Sequence, residues 1–425
     1  MGKAATVRAL RRSQDPDRHL PDVTGPIAPG TLDRPTRRAT IPRAADFWHE
    51  LPGRRVGCDL CYRRCELAPG EAGWCRIRRN DGGRVRLTDH AVIGNLQPHV
   101  THYFYWRQHV RMVWVSGVGC TADCVFCTST DLARAPERLT WGPSGERAVG
   151  QHSDAGGWAY HRAMMHPQMV PALAEQWGCR DVYFGANEPT LTYEWTLDAA
   201  RLAKGAGLGT VIDTNGFTAP AALAALAPFM DMAYAGVKGS ADPAFYAKRM
   251  RAEGAVPHVL AALEAWHASP TMLGVSDTIA PPHWCDEATA VETMTRFYSW
   301  IAETLGPLTP LQVRGMVRPA REYGEWFDPL LPHAGGDGAV VAFMERLRLA
   351  EAIARSCGLR YVYSDEHREV RCHHCAGVLV GTIGSLAFDL HVGPDGVCDH
   401  CGGQTPIVGL SRAEYDAIQR EGRDR

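Results

Sequence analysis

The sequence predicts an α/β fold: a partial (β/α)6 TIM-like barrel with small cysteine-rich metal-binding appendages at both ends. Short apolar runs typical of buried parallel strands alternate with helical patterns along most of the chain. Polar motifs follow directly after several of these runs, where barrel strands carry their active groups. Eleven of the 14 cysteines fall into three tightly spaced groups, one central and one towards each end.

Six predicted strands and the helical segments between them define the barrel. Strands that are buried on both faces are continuous apolar runs rather than alternating ones. The predicted strands are Met112–Val115, Asp181–Gly185, Gly209–Asp213, Met232–Val237, Met272–Ser276 and Leu311–Val317. The predicted helices are Tyr193–Ala206, Pro220–Ala227, Val256–His267, Glu287–Leu305 and Val340–Cys357. Because eight βα units close a full barrel, six predict an open, partial one.

Composition and charge limit the kinds of partner that we expect for this protein. The chain is 45% hydrophobic and 22% charged, which is ordinary for a globular protein. A net charge of −2 provides no strong case for nucleic acid as a partner. We find no apolar run of about 18 residues and no secretory signal, so we expect no membrane partner.

The chain divides into four predicted regions. Residues 1–45 form an Arg/Pro-rich arm that we expect to be irregular, and residues 46–105 form an N-terminal cysteine-rich segment. Residues 106–365 form the partial barrel, and residues 366–425 form a ribbon-like metal module with paired CxxC motifs. Because tight CxxC-type spacing in an enzyme-sized chain favours metal binding over disulfides, we expect a reduced, cytoplasmic setting.

The central cysteines are Cys120, Cys124 and Cys127, in a Cx3Cx2C spacing. A structural zinc ion takes four protein ligands, so three thiolates do not complete its site. A [4Fe–4S] cluster held by three thiolates leaves one iron open to a non-protein ligand. A molecule with an amine and a carboxylate, such as S-adenosylmethionine, could chelate that iron. The alternative is a zinc site completed by a histidine.

Polar residues follow the next three predicted strands. Asn187 and Glu188 could each accept a hydrogen bond from an ammonium group, although an ordinary turn explains them too. Asp213 and Thr214 end the following strand, just before an Asn-Gly pair that is common in turns. Lys238 ends the fourth strand and could contact a cofactor carboxylate, with a solvated lysine as the alternative.

Two arginines, Arg314 and Arg318, follow the sixth predicted strand. Two guanidinium groups at a pocket mouth suggest a substrate that carries a carboxylate or phosphate, and an exposed arginine pair is the alternative. The sequence assigns no catalytic residue.

The two outer cysteine groups also suit metals. Four cysteines within eighteen residues near the N-terminus suit structural zinc or a second iron–sulfur cluster equally well. The C-terminal CxxC…CxxC, with a glycine after each pair, favours structural zinc over an auxiliary cluster. The N-terminal group is Cys58, Cys61, Cys65 and Cys75, and the C-terminal group is Cys372, Cys375, Cys398 and Cys401.

The central motif, with Phe126 before its third cysteine, resembles the signature of the radical S-adenosylmethionine enzymes. Asn187-Glu188-Pro189 resembles their Gly-Gly-Glu-Pro motif, and Asp213-Thr214-Asn215-Gly216 resembles a strand end of pyruvate formate-lyase activating enzymes. With both outer cysteine groups, residues 55 to 410 resemble the AmmeMemoRadiSam branch related to those activating enzymes. The chain departs from the family pattern at Gly236, at Pro281-Pro282 and at the two arginines, which suggests a different substrate.

The resemblance implies that residues 106–365 are a radical SAM partial barrel with a [4Fe–4S] cluster on the central cysteines. It implies that Phe126, Asn187, Glu188, Asp213, Thr214 and Lys238 bind S-adenosylmethionine. The enzyme would take one electron from a donor such as flavodoxin or ferredoxin, cleave S-adenosylmethionine to a 5′-deoxyadenosyl radical and abstract a hydrogen atom from its substrate. A small-molecule substrate is favoured and a protein is allowed. The alternatives are a glycyl-radical-enzyme activase acting on a protein partner and a non-catalytic zinc-ribbon binding scaffold.

Overall fold

The computed structural model describes residues 40–82, 87–100, 106–107, 110–127, 129, 133, 139–141, 147–149, 167–315, 336–364, 369–383 and 387–423. These residues form two compact units. The first unit takes the described residues up to 98 and those within 113–121 and 129–231. The second unit takes those within 99–112, 122–128 and 232–425. Residues 1–39 of the predicted arm lie outside the described residues.

The first unit joins three parallel barrel strands to antiparallel strands from the N-terminal part of the chain. Its sheet has the order β1-β6-β7-β10-β11, and β5 pairs with β6. A separate three-stranded sheet, β2-β3-β4, carries the start of the N-terminal cysteine group, and β8 and β9 form a hairpin. The strands are β1 (Thr40–Ala44), β2 (Trp48–Leu51), β3 (Arg55–Cys58), β4 (Glu66–Leu67), β5 (Arg78–Asn80), β6 (Leu87–Val100), β7 (Arg111–Gly117), β8 (Leu139–Trp141), β9 (Arg147–Val149), β10 (Asp181–Phe184) and β11 (Gly209–Thr214). Its helices are α1 (Met169–Trp177), α2 (Tyr193–Gly205) and α3 (Pro220–Leu226).

The second unit contains four parallel strands in the order β12-β13-β14-β15, followed by the antiparallel sheet β16-β17-β18. The strands are β12 (Met232–Lys238), β13 (Met272–Thr278), β14 (Leu311–Arg314), β15 (Val362–Ser364), β16 (Glu369–Arg371), β17 (Val378–Ile383) and β18 (Ala387–Leu390). The helices are α4 (Pro243–Met250), α5 (Val256–His267), α6 (Glu287–Trp300), α7 (Gly336–Ser356) and α8 (Arg412–Arg423).

Local sequence explains where several helices begin. Pro220 occupies the first turn of α3, where its missing N–H leaves no hydrogen bond unmade. Asp242 and Asp286 cap α4 and α6, because each side chain accepts a hydrogen bond from the backbone N–H three residues later. The helices are therefore bounded by ordinary capping chemistry.

The core of each unit lies along its parallel strands. All four residues of β10 are buried, and six of the seven residues of β12 are buried. This continuous burial is what the apolar runs predict for strands covered on both faces. The carboxyl ends of these strands carry the polar residues singled out by the sequence.

The predicted α/β fold with a partial TIM-like barrel and a C-terminal cysteine cluster is confirmed. Seven strands run parallel: the strands of the six predicted units, and β15, which overlaps the strand-like stretch Leu359–Tyr363 after the last predicted helix and pairs with β14 in parallel. The predicted helix Glu287–Leu305 continues past α6 as a π-helical turn over Ile301–Leu305. None of the described helices is both long enough and apolar enough to cross a membrane.

Candidate active site

The three cysteines of the central motif are half-buried on the loop that follows β7. In the second unit, the backbone of this loop is bonded to the last residues of α4. The N–H groups of Asp123 and Val125 donate to the carbonyl oxygens of Met250 and Arg249, at 2.8 and 2.9 Å. The segment around the second cysteine is therefore held by a helix end and does not depend on side-chain contacts alone.

Phe126, the aromatic residue before the third cysteine, is buried in the second unit. Its ring centroid lies 5.6 Å from that of Phe245 and 6.1 Å from that of Trp284. Aromatic rings attract one another at separations of about 4.5 to 7 Å. This aromatic cluster anchors the motif in the core of the unit.

Asn187, predicted to contact an ammonium group, forms two hydrogen bonds through its side-chain amide with the loop that precedes Cys120. Its Oδ1 accepts a hydrogen bond from Gly117 N at 3.1 Å, and its Nδ2 donates to Gly119 O at 3.1 Å. A side chain at Gly117 would lie 3.2 Å from Nδ2 and 3.3 Å from Thr192 Cγ2. Glycine at 117 is therefore what allows the amide to approach the loop.

Glu188, the other residue predicted to accept from an ammonium group, is fully buried. Its Oε1 accepts from the hydroxyls of Thr190 and Thr214, at 2.5 and 2.9 Å. Its Oε2 accepts from Asn215 N at 2.8 Å and from Asn215 Nδ2 at 3.3 Å. Burial raises the pKa of Glu188, while these hydrogen bonds act to lower it. The carboxylate thus joins the ends of β10 and β11.

The two predicted residues at the end of β11 have different surroundings. Asp213 is half-buried, and Tyr183 donates its hydroxyl to Asp213 Oδ2 at 2.5 Å. Thr214 is buried and bonded to Glu188. The first unit therefore brings Glu188 and Thr214 into direct contact, and holds Asp213 through its neighbour Tyr183.

In the second unit, Lys238 and Arg314 lie half-buried at the ends of β12 and β14. The backbone N–H of Lys238 donates to the Tyr246 hydroxyl at 3.3 Å. Arg314 Nη1 lies 3.5 Å from the hydroxyl of Tyr234, which itself donates to Gln312 Oε1 at 2.7 Å. Arg318 lies outside the described residues, so its predicted pairing with Arg314 stays a prediction.

A buried network around Asp277 was missed by the sequence reasoning. Asp277 Oδ1 accepts from Ser240 N at 2.9 Å, and Oδ2 accepts from Ser240 Oγ at 2.6 Å and from the Tyr298 hydroxyl at 3.0 Å. Ser240 and Ala241 have φ of 51° and 54°. The carboxylate holds this left-handed turn at the end of β12, and such strained backbone concentrates at functional sites. An aspartate directly after a predicted strand was the available signal.

A cavity of about 530 Å³ opens beside this turn in the second unit. Its walls include Phe245 and Trp284 of the aromatic cluster, and the basic residues Lys248 and Arg249. The Arg249 guanidinium lies 4.4 Å from the Trp284 ring centroid, a cation–π contact. The cavity combines aromatic walls with positive charge, a combination that suits a planar or anionic small molecule.

Comparison with known protein families identifies the type of domain. Residues 114–280 match the model of the Radical SAM superfamily, a range that contains the central motif and the strand-end residues from Asn187 to Lys238. The chain carries a Radical SAM domain. A domain of this superfamily indicates an enzyme and implies S-adenosylmethionine and a [4Fe–4S] cluster. Radical SAM enzymes generally need an electron donor such as flavodoxin or ferredoxin.

Individual relatives are distant. An uncharacterized protein of Methanocaldococcus jannaschii is 24% identical over 347 residues, covering 80% of this chain and 91% of that protein. The structure of Streptococcus suis SuiB bound to S-adenosylmethionine is 12% identical, with a TM-score of 0.38 over 60% of this chain and 49% of SuiB. SuiB bound to its precursor peptide SuiA is 11% identical, with a TM-score of 0.37 over 60% of this chain and 47% of SuiB. The chain thus spans about half the length of SuiB.

Outside the matched range of the Radical SAM domain, the four N-terminal cysteines of the first unit line one small cavity. Burial raises the pKa of the Cys58 and Cys61 thiols and raises that of Cys75 to about 11. The cavity is also lined by Arg63, Arg78 and Thr121. These thiols are therefore enclosed next to the residue that follows Cys120.

The Sγ atoms of the four C-terminal cysteines lie close to one another. The Sγ atoms of Cys372 and Cys401 lie 3.8 Å apart, and those of Cys375 and Cys398 lie 3.9 Å apart. All four Sγ atoms lie within 4.8 Å of one another. Within the described ranges, no other group of three or more Cys, His, Asp or Glu ligand atoms is this close.

The two halves of this C-terminal group contact each other reciprocally. A Cβ at Gly377 would overlap the ring of His400, and a Cβ at Gly403 would overlap the ring of His374. His374 Nε2 lies 3.1 Å from Gln404 O, and His400 Nε2 lies 2.9 Å from Val378 O. Each histidine therefore packs on the glycine that follows the opposite cysteine pair.

Proposed function

We propose that this chain is a radical SAM enzyme that generates a 5′-deoxyadenosyl radical and abstracts a hydrogen atom from a small-molecule substrate. One observation carries the proposal: a Cx3Cx2C motif follows a parallel strand of a domain that matches the Radical SAM superfamily. The donor set fits, because three thiols on one loop suit a cluster with one open iron and do not complete a zinc site. When bound, the [4Fe–4S] cluster and S-adenosylmethionine supply the radical chemistry.

The residues at the strand ends of the first unit hold the site in place. Asn187 fixes the loop before Cys120 through its bonds to Gly117 and Gly119. Glu188 fixes the ends of β10 and β11 through the two threonines and Asn215. Because the Glu188 oxygens already accept these bonds, the half-buried Asp213 offers a more accessible carboxylate for an ammonium group. Contacts of Glu188, Thr214 and Asn187 with S-adenosylmethionine remain part of this proposal.

The second unit supplies the proposed small-molecule pocket. The cavity of about 530 Å³ lies at the ends of β12 and β13, beside Phe126 and its aromatic partners. Lys248 and Arg249 in its wall favour a ligand with a carboxylate or phosphate. Lys238 and Arg314 add positive charge at neighbouring strand ends. Closure of this pocket around its substrate would keep water away from a reactive intermediate.

We propose that the C-terminal cysteine group holds one structural zinc ion. Four thiolates bound tetrahedrally at about 2.3 Å must lie roughly 3.8 Å apart, which agrees with the 3.8 and 3.9 Å found. Thiolates bound to different irons of a cluster would lie farther apart. We expect one zinc per chain by elemental analysis, lost in Cys375→Ser. Iron with acid-labile sulfide at this site would refute the assignment.

A one-electron donor of the flavodoxin or ferredoxin class and a reduced, cytoplasmic setting belong to the same proposal, as does the kinship with the AmmeMemoRadiSam branch. The matched domain supports the need for a donor, and the three cysteine groups support the reduced setting. The kinship is supported by the resemblance of residues 55 to 410, which includes both outer cysteine groups.

Anaerobic reconstitution tests the proposal. The protein, loaded with iron and sulfide and reduced with dithionite, should turn brown and convert S-adenosylmethionine to 5′-deoxyadenosine. The triple variant Cys120→Ala/Cys124→Ala/Cys127→Ala should lose this activity completely. The control is Cys357→Ala, because that thiol lies outside the three groups and contacts Ser299; it should keep the activity.

The other outcomes separate the competing functions. A wild-type protein that neither cleaves S-adenosylmethionine nor binds iron would favour the zinc-ribbon scaffold. A glycyl radical detected on a partner protein by electron paramagnetic resonance would favour the activase.

A further inference from the structure

We infer that Cys58, Cys61, Cys65 and Cys75 hold a polynuclear iron–sulfur cluster, most simply a [4Fe–4S] cluster with all four irons bound by protein. The sequence suits zinc and a cluster equally, so the inference rests on the geometry of the first unit. The cluster itself does not depend on the proposed function. Its role as an electron-carrying neighbour of the central motif does rest on that function.

The chain brings the four thiols around one space. Cys58 ends β3, and its N–H donates to Cys65 O at 2.8 Å, which closes the first three cysteines into one turn. Cys61 forms an isolated bridge with Thr218, and Cys75 lies in the turn before β5. All four cysteines line the same cavity.

The spacing of these thiols is wrong for one metal ion. A tetrahedral zinc site brings its sulfur atoms to roughly 3.8 Å from one another. In the part of the chain that the structure describes, only the C-terminal cysteines form a group of three or more ligand atoms within 4.8 Å. The N-terminal thiols are fully described and do not meet this limit. The same structure therefore separates two kinds of four-cysteine group.

A cavity lies between the thiols. A cavity of about 20 Å³ remains among the side chains, more than one water molecule needs. In a mononuclear site the four sulfur atoms touch and leave no such space. An iron–sulfur core fills the centre with its own iron and sulfide, and its thiolates stand apart on separate irons.

Polar groups at the cavity wall suit an anionic cluster. Arg63 brings positive charge to the wall, and Arg78, whose charge is balanced by Glu194, adds further N–H donors. The Thr121 side chain is buried, and its hydroxyl has no hydrogen-bond partner among the described residues. A buried hydroxyl without a partner is costly, and cluster sulfur can accept a hydrogen bond from it. The orphaned hydroxyl is thus independent evidence for a ligand in this cavity.

The position explains what such a cluster could do. With four thiolates, no iron is left open for S-adenosylmethionine, so the cluster would carry electrons or stabilise the segment. Arg63 Nε and Nη2 donate to Thr121 O at 3.0 and 2.9 Å, and Thr121 directly follows Cys120. An electron on this cluster would therefore lie close to Thr121, the residue next to Cys120 of the central motif.

The test uses the full chain with the central cysteines removed. Cys120→Ala/Cys124→Ala/Cys127→Ala, reconstituted anaerobically with ferrous iron and sulfide, should keep about four iron and four sulfide per chain and a cluster signal after reduction. Adding Cys61→Ala and Cys75→Ala should remove the sulfide. Acid-labile sulfide is the decisive measurement, because a mononuclear C-terminal site contains none. One zinc per chain is expected at the C-terminal cysteines of the triple variant; a second zinc per chain, or metal without acid-labile sulfide, would overturn the inference.

Thr121→Val in the same triple variant gives a readout that does not depend on removing a ligand. Loss of a hydrogen bond to cluster sulfur should lower the midpoint potential while the iron content stays unchanged. An unchanged potential would contradict a cluster at this cavity. Neither measurement uses S-adenosylmethionine, so a wild-type protein that fails to cleave it would refute the proposed function and leave this inference standing.

Discussion

Arg78 and Glu194 form an ion pair in the interior of the first unit. Arg78 Nη1 lies 3.0 Å from both carboxylate oxygens of Glu194, and the two side chains are 3% and 0% exposed. Arg78 opens β5 after the N-terminal cysteines, and Glu194 lies in the first turn of α2. Asp46 N also donates to Glu194 Oε1 at 2.6 Å. The pair ties the cysteine-rich segment to a barrel helix.

Removing one member of this pair should be strongly destabilising. Glu194→Gln leaves the Arg78 charge buried without its counter-charge, which costs about 3–5 kcal/mol. The control is Glu66→Gln, which breaks the exposed pair between Arg55 and Glu66 at 2.9 Å and should cost about 0–1 kcal/mol. Urea unfolding of the metal-free proteins measures both. Equal effects of the two variants would contradict the assigned role of the buried pair.

Asn187→Ala should loosen the loop that leads to Cys120. The substitution leaves Gly117 N and Gly119 O without their side-chain partners, at about 1–3 kcal/mol for each buried group. We expect a lower unfolding midpoint and less iron retained on the central motif after identical reconstitution. Asn215→Ala is the matched control, since its amide makes only a 3.3 Å contact with Glu188. Full iron retention in Asn187→Ala would show that the amide does not hold the loop.

The pH dependence of stability should contain a contribution from Asp277. Burial raises the pKa of this carboxyl, against the hydrogen bonds from Ser240 and Tyr298 and the charge of Lys238, which lower it. The folded state then holds the proton more tightly than the unfolded state. Its contribution to stability is therefore present below the ordinary carboxyl pKa of about 4 and is lost as pH rises through the raised value.

Denaturation of wild type and Asp277→Asn across this pH range measures the effect. The variant should lose the fall in stability above about pH 4. Asp286 offers a contrast of opposite sign, because the Thr289 N–H lowers the pKa of this exposed carboxyl. Asp286→Asn should instead change the profile only at the acidic end, where the wild type loses its helix cap. Parallel profiles for wild type and Asp277→Asn would contradict the assignment.

Gly377→Ala should disturb the C-terminal cysteine module, for which we propose zinc, through the opposite cysteine pair. A methyl group at 377 would overlap the ring of His400, which lies between Cys398 and Cys401, so this histidine must shift. We expect weaker zinc retention against a chelator, without loss of any ligand. The comparison variant is Gly402→Ala. No atom lies within 4 Å of a Cβ at this position, so the substitution should lower stability only through the backbone φ of 71°, which disfavours alanine. Equal zinc retention in wild type and Gly377→Ala would contradict the packing argument.

The parallel strands were predictable because burial on both faces leaves a continuous apolar run. Val362–Ser364 has only three residues, and its parallel partner β14 is far away in sequence, so its place in the sheet was not predictable. The C-terminal metal group was predictable because its ligands come in two close pairs. The metal type at the N-terminal group was not, because cysteine spacing along the chain does not determine the distances between sulfur atoms.

The site residues were predictable from their positions after the strands, whereas their hydrogen-bond partners were not. Asn187 was singled out as following a strand, but its bonds to Gly117 and Gly119 join residues about 70 positions apart. Asp277, in β13, was missed as a structural acceptor because Tyr298 donates to it from helix α6. Long-range contacts of this kind depend on how the elements pack, which a single sequence does not encode in any local pattern.

Arg249 connects two parts of the second unit through different atoms of one residue. Its carbonyl oxygen accepts the Val125 N–H of the cysteine loop, and its guanidinium covers Trp284 in the cavity wall. A ligand that displaces the guanidinium acts on the same residue that restrains the loop. Coupling between two binding events is reciprocal. Occupation of the cavity and ordering of the cysteine loop would then favour or oppose each other to the same extent, with Arg249 as the shared point of control.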